Sequence, residues 1–243
     1  VEVYAVAQVF HRRRKAGQVK SKKLLKKQFE KEIPFNKIPE ADMHLYKEAE
    51  QAEWQSWLKT NAATVLSESE SAEVLKQIDK SQIYHSRFAY RDKNVGKRTK
   101  ARPLPVKAKA RLCYQAQREK RCMLGEVKTD APTVQRVSTV ASLQVGTSLG
   151  WLKHLRGGDI SSAFFQGGKR DGPQLYMYQP KGGLPGLTPG QIIRVDKSVF
   201  GLPDAPRAWW ETLHAALIDE FGFESNPLDP AQMCWRHRGN PQD

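Results

Sequence analysis

The sequence predicts an α+β fold in which antiparallel hairpins pack with helices. Segments with helical spacing of apolar residues mix with alternating segments, and no regular strand–helix repeat of a doubly wound sheet is present. Turn-forming glycines and prolines separate short strands, as in "KGGLPGLTPG". In addition, 39% of the 243 residues are hydrophobic. This content is enough for a buried core.

The first half of the chain predicts two helices and a hairpin. Residues 41–59 place apolar side chains three and four positions apart, which predicts an amphipathic helix with Trp54 and Trp57 in the core. The segment "SESESAEVLKQID" offers serine caps for a second helix. Residues 83–116 alternate on both sides of the basic loop "VGKRTKARPLPV" and therefore predict a long hairpin with one charged face.

The second half predicts two further helices and three strands. The segment "TDAPTVQRVSTVASLQVGTSLGW" predicts a helix that is capped by Thr129 or Asp130 and ends at Gly150. Its apolar stripe consists of Val134, Val137, Ala141, Val145 and Leu149. The segments "WLKHLR", "PQLYMYQP" and "QIIRVD" predict strands, and Pro206 opens a last helix that ends at Gly222.

The charge of the chain predicts a polyanionic partner. Its 40 Lys and Arg residues against 26 Asp and Glu residues give a net charge of +14, so nucleic acid is the first candidate. We expect residues 1–40 to form a basic N-terminal arm or linker. As an arm, this segment would bind phosphates through Arg12, Arg13, Arg14 and Lys15; as a linker, it would have no partner.

The composition indicates no zinc site, disulfide framework or membrane segment. The three cysteines form no C-x-x-C pair. Cys234 and His237 have the spacing of half a metal site, but there is no second half, so the preferred interpretation is a buried thiol and a surface histidine. No apolar run approaches the roughly 20 residues of a membrane helix, so no membrane partner is expected.

The stretch "GGDISSAFFQGG" places Asp159 directly after the predicted strand "WLKHLR". Gly-Gly-Asp is typical of a turn, which is the first interpretation. The second is a binding site, because a carboxylate at a strand end, followed by small residues with accessible N–H groups, can hold a hard cation beside an anion. Such a site needs a partner carboxylate from elsewhere.

Six segments of the chain carry a family resemblance: "SRFAYRDKN", "KAKARLC", "KTDAPTVQRVS", "DISSAFFQG", "QLYMYQPKGGLPGL" and "KSVFGLPDAPRAWW". In this order and spacing they resemble the reverse transcriptase of copia-type retrotransposons. The resemblance implies a right-hand polymerase, with the 83–116 hairpin as fingers and the strands around Asp159 as an incomplete palm. It implies a reverse transcriptase domain at residues 41–243, expected to be truncated before a Tyr-x-Asp-Asp hairpin, because the chain contains no Asp-Asp pair.

The resemblance also implies a nucleotidyl transfer site with two Mg²⁺ ions. Asp159 would be the first catalytic aspartate and a metal ligand, and the carbonyl of Ile160 would complete the shell of one ion. The N–H groups of Ser162 and Ala163 would meet the triphosphate. Phe164 resembles the aromatic gate that rejects a ribose 2′-OH.

On the fingers, the resemblance implies that Lys109 and Arg111 neutralise the triphosphate charge. Without the resemblance, the exposed face of a hairpin is the preferred interpretation of these two residues. Phe200 and Gly201 would line the nucleotide and template site, because a glycine lets the backbone approach a ligand closely.

Lys107 and Arg207 are further candidates for nucleic-acid contacts. Lys107 lies on the charged face of the hairpin, and Arg207 faces either template phosphate or solvent. The implied partners are an RNA template, a DNA primer, dNTPs, and the RNase H and integrase segments of a Pol polyprotein. The implied location is intracellular, in a cytoplasmic virus-like particle.

Three hypotheses about function stay open at this point. The first is a polymerase fragment that is active only within a longer chain and is expected to be inactive alone. The second is a non-enzymatic remnant that still binds nucleic acid. The third is an unrelated basic RNA-binding protein of ribosomal type, which explains the charge but not the ordered segments.

Overall fold

The computed structural model describes residues 32–116, 125–126, 128–168 and 172–235. The helices are α1 (Met43–Lys59), α2 (Glu68–Gln77), α3 (Arg136–Ser148), α4 (Ala163–Gln166) and α5 (Ala205–Asp219). The strands are β1 (Ala63–Val65), β2 (Ile83–Tyr84), β3 (Ser86–Asp92), β4 (Ala108–Tyr114), β5 (Leu175–Met177), β6 (Ile193–Val195), β7 (Glu224–Asn226) and β8 (Asp229–Cys234). Single 3₁₀ turns occur at Phe35–Lys37, Glu40–Asp42, Lys80–Gln82 and Trp151–His154. This mixture of helix and strand agrees with the predicted α+β class.

The predicted long hairpin is confirmed as the antiparallel pair β3–β4. Its register runs from Ser86 opposite Tyr114 to Asp92 opposite Ala108. Because successive strand residues point to opposite faces, one face is apolar, and its residues Phe88, Tyr90, Ala110, Leu112 and Tyr114 are buried. This face packs against α1, whose Trp54 and Trp57 are fully buried as predicted. The opposite face carries the cations of the hairpin.

A second sheet contains four strands in the order β1-β6-β5-β2. The expectation of antiparallel pairing holds for β1 with β6 and for β5 with β6, but β2 and β5 are parallel. The reason is that the first part of the predicted 83–116 hairpin divides between two sheets: β2 joins β5, while β3 pairs with β4. The sheet contributes Met177, Ile193 and Val195 to the same core as α1.

The ends of α2 and α5 form as the sequence predicts. Ser67 makes a capping box with Glu70 at the start of α2, so the exposed N–H groups of the first turn have partners. Pro206 lies in the first turn of α5, where a missing N–H costs no helical bond. Gly222 follows α5 with a φ of 69°, in the left-handed region that ends helices.

Helix α3 differs from its prediction at its start and on its apolar face. The helix begins at Arg136, and neither Thr129 nor Asp130 caps it. The cap comes from the β7–β8 hairpin instead, since the Asp229 carboxylate accepts the Gln135 N–H at 2.8 Å. No residue of α3 is buried among the described residues, and Val137 in the predicted stripe is 68% exposed. Helical spacing alone therefore did not reveal whether a partner covers this face.

The segment "WLKHLR" is a 3₁₀ turn at Trp151–His154, so its prediction as a strand was wrong. Gly150 has a φ of 70° and turns the chain sharply at the end of α3. The Arg156 guanidinium then donates to the carbonyls of Lys153 and Leu155. These local bonds satisfy carbonyls that a strand would present to a neighbour. Asp159 consequently lies in an exposed loop and not at the end of a strand.

Several predictions concern residues outside the described part of the chain. Arg12, Arg13, Arg14 and Lys15 of the basic arm lie there, and so does His237, the possible partner of Cys234. Within the described ranges, no helix is both long enough and apolar enough to cross a membrane.

Candidate functional site

The hairpin positions the cations of the candidate site on the outer face of β4. Lys109 and Arg111 alternate along β4 with Ala110 and Leu112, which are 3% and 0% exposed. The buried residues hold the strand against α1, so the two cations project from a packed support. Arg111 is exposed, whereas Lys109 is half-buried.

Arg111 stacks on Phe200, a ring that the sequence places almost 90 residues later. Its guanidinium carbon lies 4.4 Å from the centroid of the Phe200 ring. The Phe200 ring in turn contacts Phe164 edge-on, with 5.1 Å between the centroids. A planar cation over an aromatic face is a favourable pair that also restricts the arginine rotamers. The structure thus brings three predicted site residues into one cluster.

Gly201 meets the protein and not open space for a ligand. Its φ is +99°, and a Cβ there would lie 1.9 Å from the carbonyl oxygen of Tyr114. The adjacent Phe200 carbonyl accepts the Tyr114 N–H at 2.7 Å. The close approach expected for a ligand is therefore an approach to β4. This close approach holds the Phe200 ring beside Arg111. Gly201 therefore affects the site by positioning its neighbour Phe200.

Helix α4 carries Phe164 and is anchored by residues that the sequence analysis did not single out. Phe165 is buried, and its ring lies 5.5 Å from that of Trp57 in α1. The Lys197 ammonium donates to the Phe165 carbonyl at 3.0 Å. The pair of adjacent phenylalanines could have indicated this anchor. Adjacent residues of a helix point in different directions, so one ring can face the core while the other faces the site.

The turn before α4 places the predicted backbone donors. Ser162 has a φ of 53°, which is uncommon for a residue other than glycine. Its hydroxyl lies 3.5 Å from that of Ser56 in α1. Ala163 follows as the first residue of α4 and is half-buried. Local strain of this kind clusters at functional sites, and here it accompanies the residues next to Phe164.

Asp159 and Ile160 precede this turn in an exposed loop, and Ile160 is 47% exposed. Burial lowers the pKa of Lys109 and the charges of Lys93 and Arg111 lower it further, while the carboxylates of Glu53 and Asp159 act in the opposite direction. Asp159 is thus close enough to Lys109 for their charges to interact, which brings the predicted carboxylate and the predicted cation to one region.

Glu53 is a site residue that the sequence analysis missed. It lies on α1, and its carboxylate accepts the Leu112 N–H at 3.3 Å, at the edge of β4 that does not pair with β3. Burial raises the pKa of Glu53, and the charges of Lys109 and Arg111 oppose that rise. The only feature of the sequence that could have indicated Glu53 as a site residue is its position next to Trp54, at the margin of the apolar stripe of α1.

Lys107 and Arg207 lie apart from this cluster. Lys107 is exposed at the start of the β4 ladder, where its carbonyl accepts the Lys93 N–H at 2.9 Å. The Arg207 Nε donates to Glu211 at 2.6 Å, and its guanidinium lies 4.8 Å from the Trp210 ring centroid. The sequence left Arg207 either facing phosphate or facing solvent, whereas the structure gives it partners within the protein.

The described residues do not form a site for two Mg²⁺ ions. No cluster of three or more His, Cys, Asp or Glu side chains that could hold a metal occurs in the described ranges. Asp159 is a single carboxylate on an exposed loop. Two hard cations need several oxygen ligands, so the donor set on the described part of the chain does not fit them.

The comparisons with known proteins identify the family. The family model described as "Reverse transcriptase (RNA-dependent DNA polymerase)" matches residues 80–240. The chain therefore belongs to the reverse transcriptase family, and the matched range includes the hairpin, Asp159, α4 and Phe200. Sequence relatives point to a retrotransposon as the kind of element involved, so the resemblance to a retrotransposon reverse transcriptase is confirmed.

Two curated relatives come from Arabidopsis thaliana. The "Retrovirus-related Pol polyprotein from transposon RE2" is 33% identical over 121 residues, which are 50% of this chain and 8% of that protein. The corresponding polyprotein from transposon RE1 is 31% identical over 121 residues, with the same shares of 50% and 8%. The chain thus matches a small part of each relative's length. No solved structure matches the chain.

Proposed function

We propose that this chain forms the fingers and partial palm of a copia-type reverse transcriptase, residues 41–243, behind a basic arm at residues 1–40. Its site would bind a deoxynucleoside triphosphate beside an RNA template and a DNA primer. The observation that carries the proposal is the cluster of Arg111, Phe200 and Phe164 next to Lys109. Such a cluster suits a nucleotide, because the cations can bind its phosphates and an aromatic ring can contact its sugar.

The cations of β4 serve the triphosphate in this proposal. Arg111 is oriented by the Phe200 ring, so less rotamer freedom is lost when its guanidinium binds phosphate. Lys109 adds a point charge from the same face, and the N–H groups of Ser162 and Ala163 would meet the phosphates as further donors. Phe164 lies against Phe200 and would contact the sugar, where it excludes a 2′-OH.

Asp159 would contribute one carboxylate to a divalent cation, with the carbonyl of Ile160 beside it. The remaining ligands are not present among the described residues. The contribution of the described residues to polymerisation is therefore to bind and orient the nucleotide. The template and primer would contact Lys107 and the basic arm, and the other Pol segments would be partners in the longer polyprotein.

Nucleotide binding tests the proposed site directly. We expect a fluorescent deoxynucleoside triphosphate to bind the 243-residue chain, and Arg111→Ala to weaken binding about tenfold, as for loss of one charge-assisted hydrogen bond. Arg102→Ala is the matched control, because Arg102 is an exposed arginine in the loop of the same hairpin. Phe164→Ala should narrow the preference for deoxyribonucleotides over ribonucleotides. Equal affinities of the Arg111 and Arg102 variants would contradict the proposed site.

A second candidate is a nucleic-acid-binding remnant without polymerase activity. The single carboxylate in the described part of the site and the net charge of +14 favour it. Primer extension on an RNA template with Mg²⁺ and dNTPs distinguishes the two candidates. Extension that is lost in Asp159→Asn supports the enzyme. Because the fragment alone is expected to be inactive, the opposite outcome is judged in a longer polyprotein chain, where nucleic-acid binding without extension supports the remnant.

A further inference from the structure

The aromatic pair of Phe164 and Phe200 joins two segments that are distant in the chain. Phe164 belongs to α4, whereas Phe200 lies in the loop between β6 and α5. The two rings meet edge-on, with 5.1 Å between the centroids. A ring that excludes a ribose 2′-OH acts by steric contact, so its selectivity depends on how firmly the ring is held. The position of α4 relative to the Phe200 segment is therefore a determinant of the proposed site.

Helix α4 is too short to fix its own position. It consists of the four residues Ala163–Gln166. A helical carbonyl bonds the N–H four positions later, and for Phe165 that position lies beyond the end of the helix. The helix also begins after Ser162, whose φ of 53° is unfavourable for a residue with a side chain. The Phe165 carbonyl thus needs a donor from another element.

Lys197 supplies this donor. Its ammonium donates to the Phe165 carbonyl at 3.0 Å, and the lysine is partly buried. A hydrogen bond with a charged donor is stronger than one between neutral groups. Lys197 precedes Phe200 by three positions, so the residue that bonds α4 belongs to the same segment as the second ring of the pair.

The backbone at Lys197 is itself held in place. The N–H groups of Asp196 and Lys197 both donate to the carbonyl of Ala62, at 2.9 and 3.3 Å. Ala62 is fully buried, and so is Val199, two positions after the lysine. The ammonium therefore extends from a fixed origin, and its bond to Phe165 relates α4 to that origin.

Hydrophobic packing alone would leave α4 one degree of freedom. The Phe165 ring contacts the rings of Trp57 and Phe200, with 5.5 and 5.8 Å between the centroids. Such packing is largely non-directional, whereas a hydrogen bond requires a defined angle between donor and acceptor. The bond from Lys197 therefore selects one rotation of α4 about its buried ring, and in that rotation Phe164 lies against Phe200.

We propose that Lys197 is a positioning residue that sets the discrimination between deoxyribonucleotides and ribonucleotides. It acts through the Phe165 carbonyl, which keeps the Phe164 ring in place beside the sugar. The inference rests on the proposed function, because the position of Phe164 matters only if this ring contacts the sugar. Without the bond from Lys197, the ring can move aside and admit a 2′-OH.

Competition binding to the whole chain tests this role. Unlabelled deoxyribonucleoside and ribonucleoside triphosphates displace a fluorescent deoxynucleoside triphosphate, which gives a dissociation constant for each. We expect Lys197→Met to bind the ribonucleotide about three- to tenfold more tightly, as for the loss of one hydrogen bond that holds the ring, and to change deoxyribonucleotide binding less. A misfolded protein would not gain affinity.

Two further variants serve as controls for this change. Lys197→Arg keeps a charged donor at the same position and should restore the discrimination. Lys181→Met removes the same charge from an exposed turn between β5 and β6, and it should leave both dissociation constants unchanged. Equal weakening of both nucleotides by Lys197→Met would mean that Lys197 has only a structural role and would overturn the inference.

A double-mutant cycle shows whether Lys197 acts through Phe164. In the Phe164→Ala background, Lys197→Met should not change the ratio of the two dissociation constants further, because the ring is already absent. Additive effects would overturn the inference. If Phe164→Ala changes the ratio and Lys197→Met does not, the inference about Lys197 is wrong and the proposed function stands. If Phe164→Ala leaves the ratio unchanged, the proposed contact of Phe164 with the sugar is wrong, and the role of Lys197 is overturned with it.

Discussion

Helices α1 and α3 both carry apolar residues at helical spacing, but the structure packs only α1. Trp54 and Trp57 of α1 are fully buried against the β3–β4 hairpin, whereas Val137 and Val145 of α3 are 68% and 53% exposed. Helical periodicity is a property of the segment alone, while burial requires a complementary surface from another element. The hairpin supplies that surface for α1 and no described element supplies it for α3.

Because of this difference, one half of the candidate site lies on packed elements and the other half does not. Lys109 and Arg111 project from a strand that is packed on α1, and Phe200 is docked on the same strand through Gly201. Asp159 follows α3 on an exposed loop. We therefore expect the phosphate-binding half to keep its geometry in this chain, and the carboxylate half to depend on further contacts for its position.

The largest effect is expected in the core of the packed half. Trp57→Ala should reduce the free energy of unfolding by about 3 to 5 kcal/mol, because it removes a large buried side chain and leaves a cavity. Val137→Ala should change it by less than about 0.5 kcal/mol, since the side chain is exposed. Urea unfolding measures both. A comparable loss of free energy of unfolding in Val137→Ala would mean that the apolar face of α3 is buried in solution. The contrast between α1 and α3 would then be wrong.

Gly201→Ala should have the next largest effect, about 3 kcal/mol, because a methyl group must displace the Tyr114 carbonyl at a positive φ. Gly190→Ala is the matched control: Gly190 has a φ of +94°, but a Cβ there meets nothing within 4 Å. It should cost about 1 kcal/mol for the strained backbone alone. Urea unfolding of the two variants separates the effect of steric contact from that of backbone strain. Equal losses of free energy of unfolding would contradict the view that Gly201 positions Phe200 by its close approach to Tyr114.

Asp92 should make the stability of the hairpin depend on pH. Its burial acts to raise the pKa of the carboxyl, but the Asn94 and Lys107 N–H groups and Arg98 together lower it below the ordinary value. A lowered pKa in the folded state means that the stabilisation is present above the unfolded pKa near 4 and is lost as the pH falls through the folded value. Asp92→Asn should cost about 1 to 2 kcal/mol at pH 7.

The pH profile of unfolding provides the check on Asp92. The difference between Asp92→Asn and the unmodified chain should shrink as the pH falls below about 4. Asp219→Asn serves as the control, because Asp219 is exposed at the end of α5. A difference that stays constant with pH would show that the Asp92 side chain acts through its shape and not through its charge.

The smallest effect should be local to α3. The Ser138 hydroxyl and the Gln135 N–H lower the pKa of Asp229, which caps this helix from the β7–β8 hairpin. Asp229→Asn should speed hydrogen exchange of the first-turn amides of α3 and leave the β3–β4 amides unchanged. Glu220→Gln, at the exposed end of α5, should affect neither region. Faster exchange throughout the chain would contradict the view that α3 is only locally supported.

Predictions from the sequence succeeded where short-range chemistry determines the result. The Ser67 cap and the position of Pro206 follow from residues within a few positions of one another, and the β3–β4 hairpin pairs residues that are at most 28 positions apart. The start of α3 was mispredicted because its cap comes from Asp229, more than 90 residues later. The strand predicted at "WLKHLR" failed because alternation indicates a strand only when a neighbouring strand is available.

For the site, the sequence determined which residues are the candidates. The order and spacing of the six segments identified the family, and period-2 alternation put Lys109 and Arg111 on one face of a strand. The tertiary structure decided which of these meet. It placed Arg111 on Phe200, fitted Gly201 against Tyr114, and brought the Glu53 carboxylate to the Leu112 N–H of β4. These contacts join elements distant in the chain, and only the packing of side chains in three dimensions selects such partners.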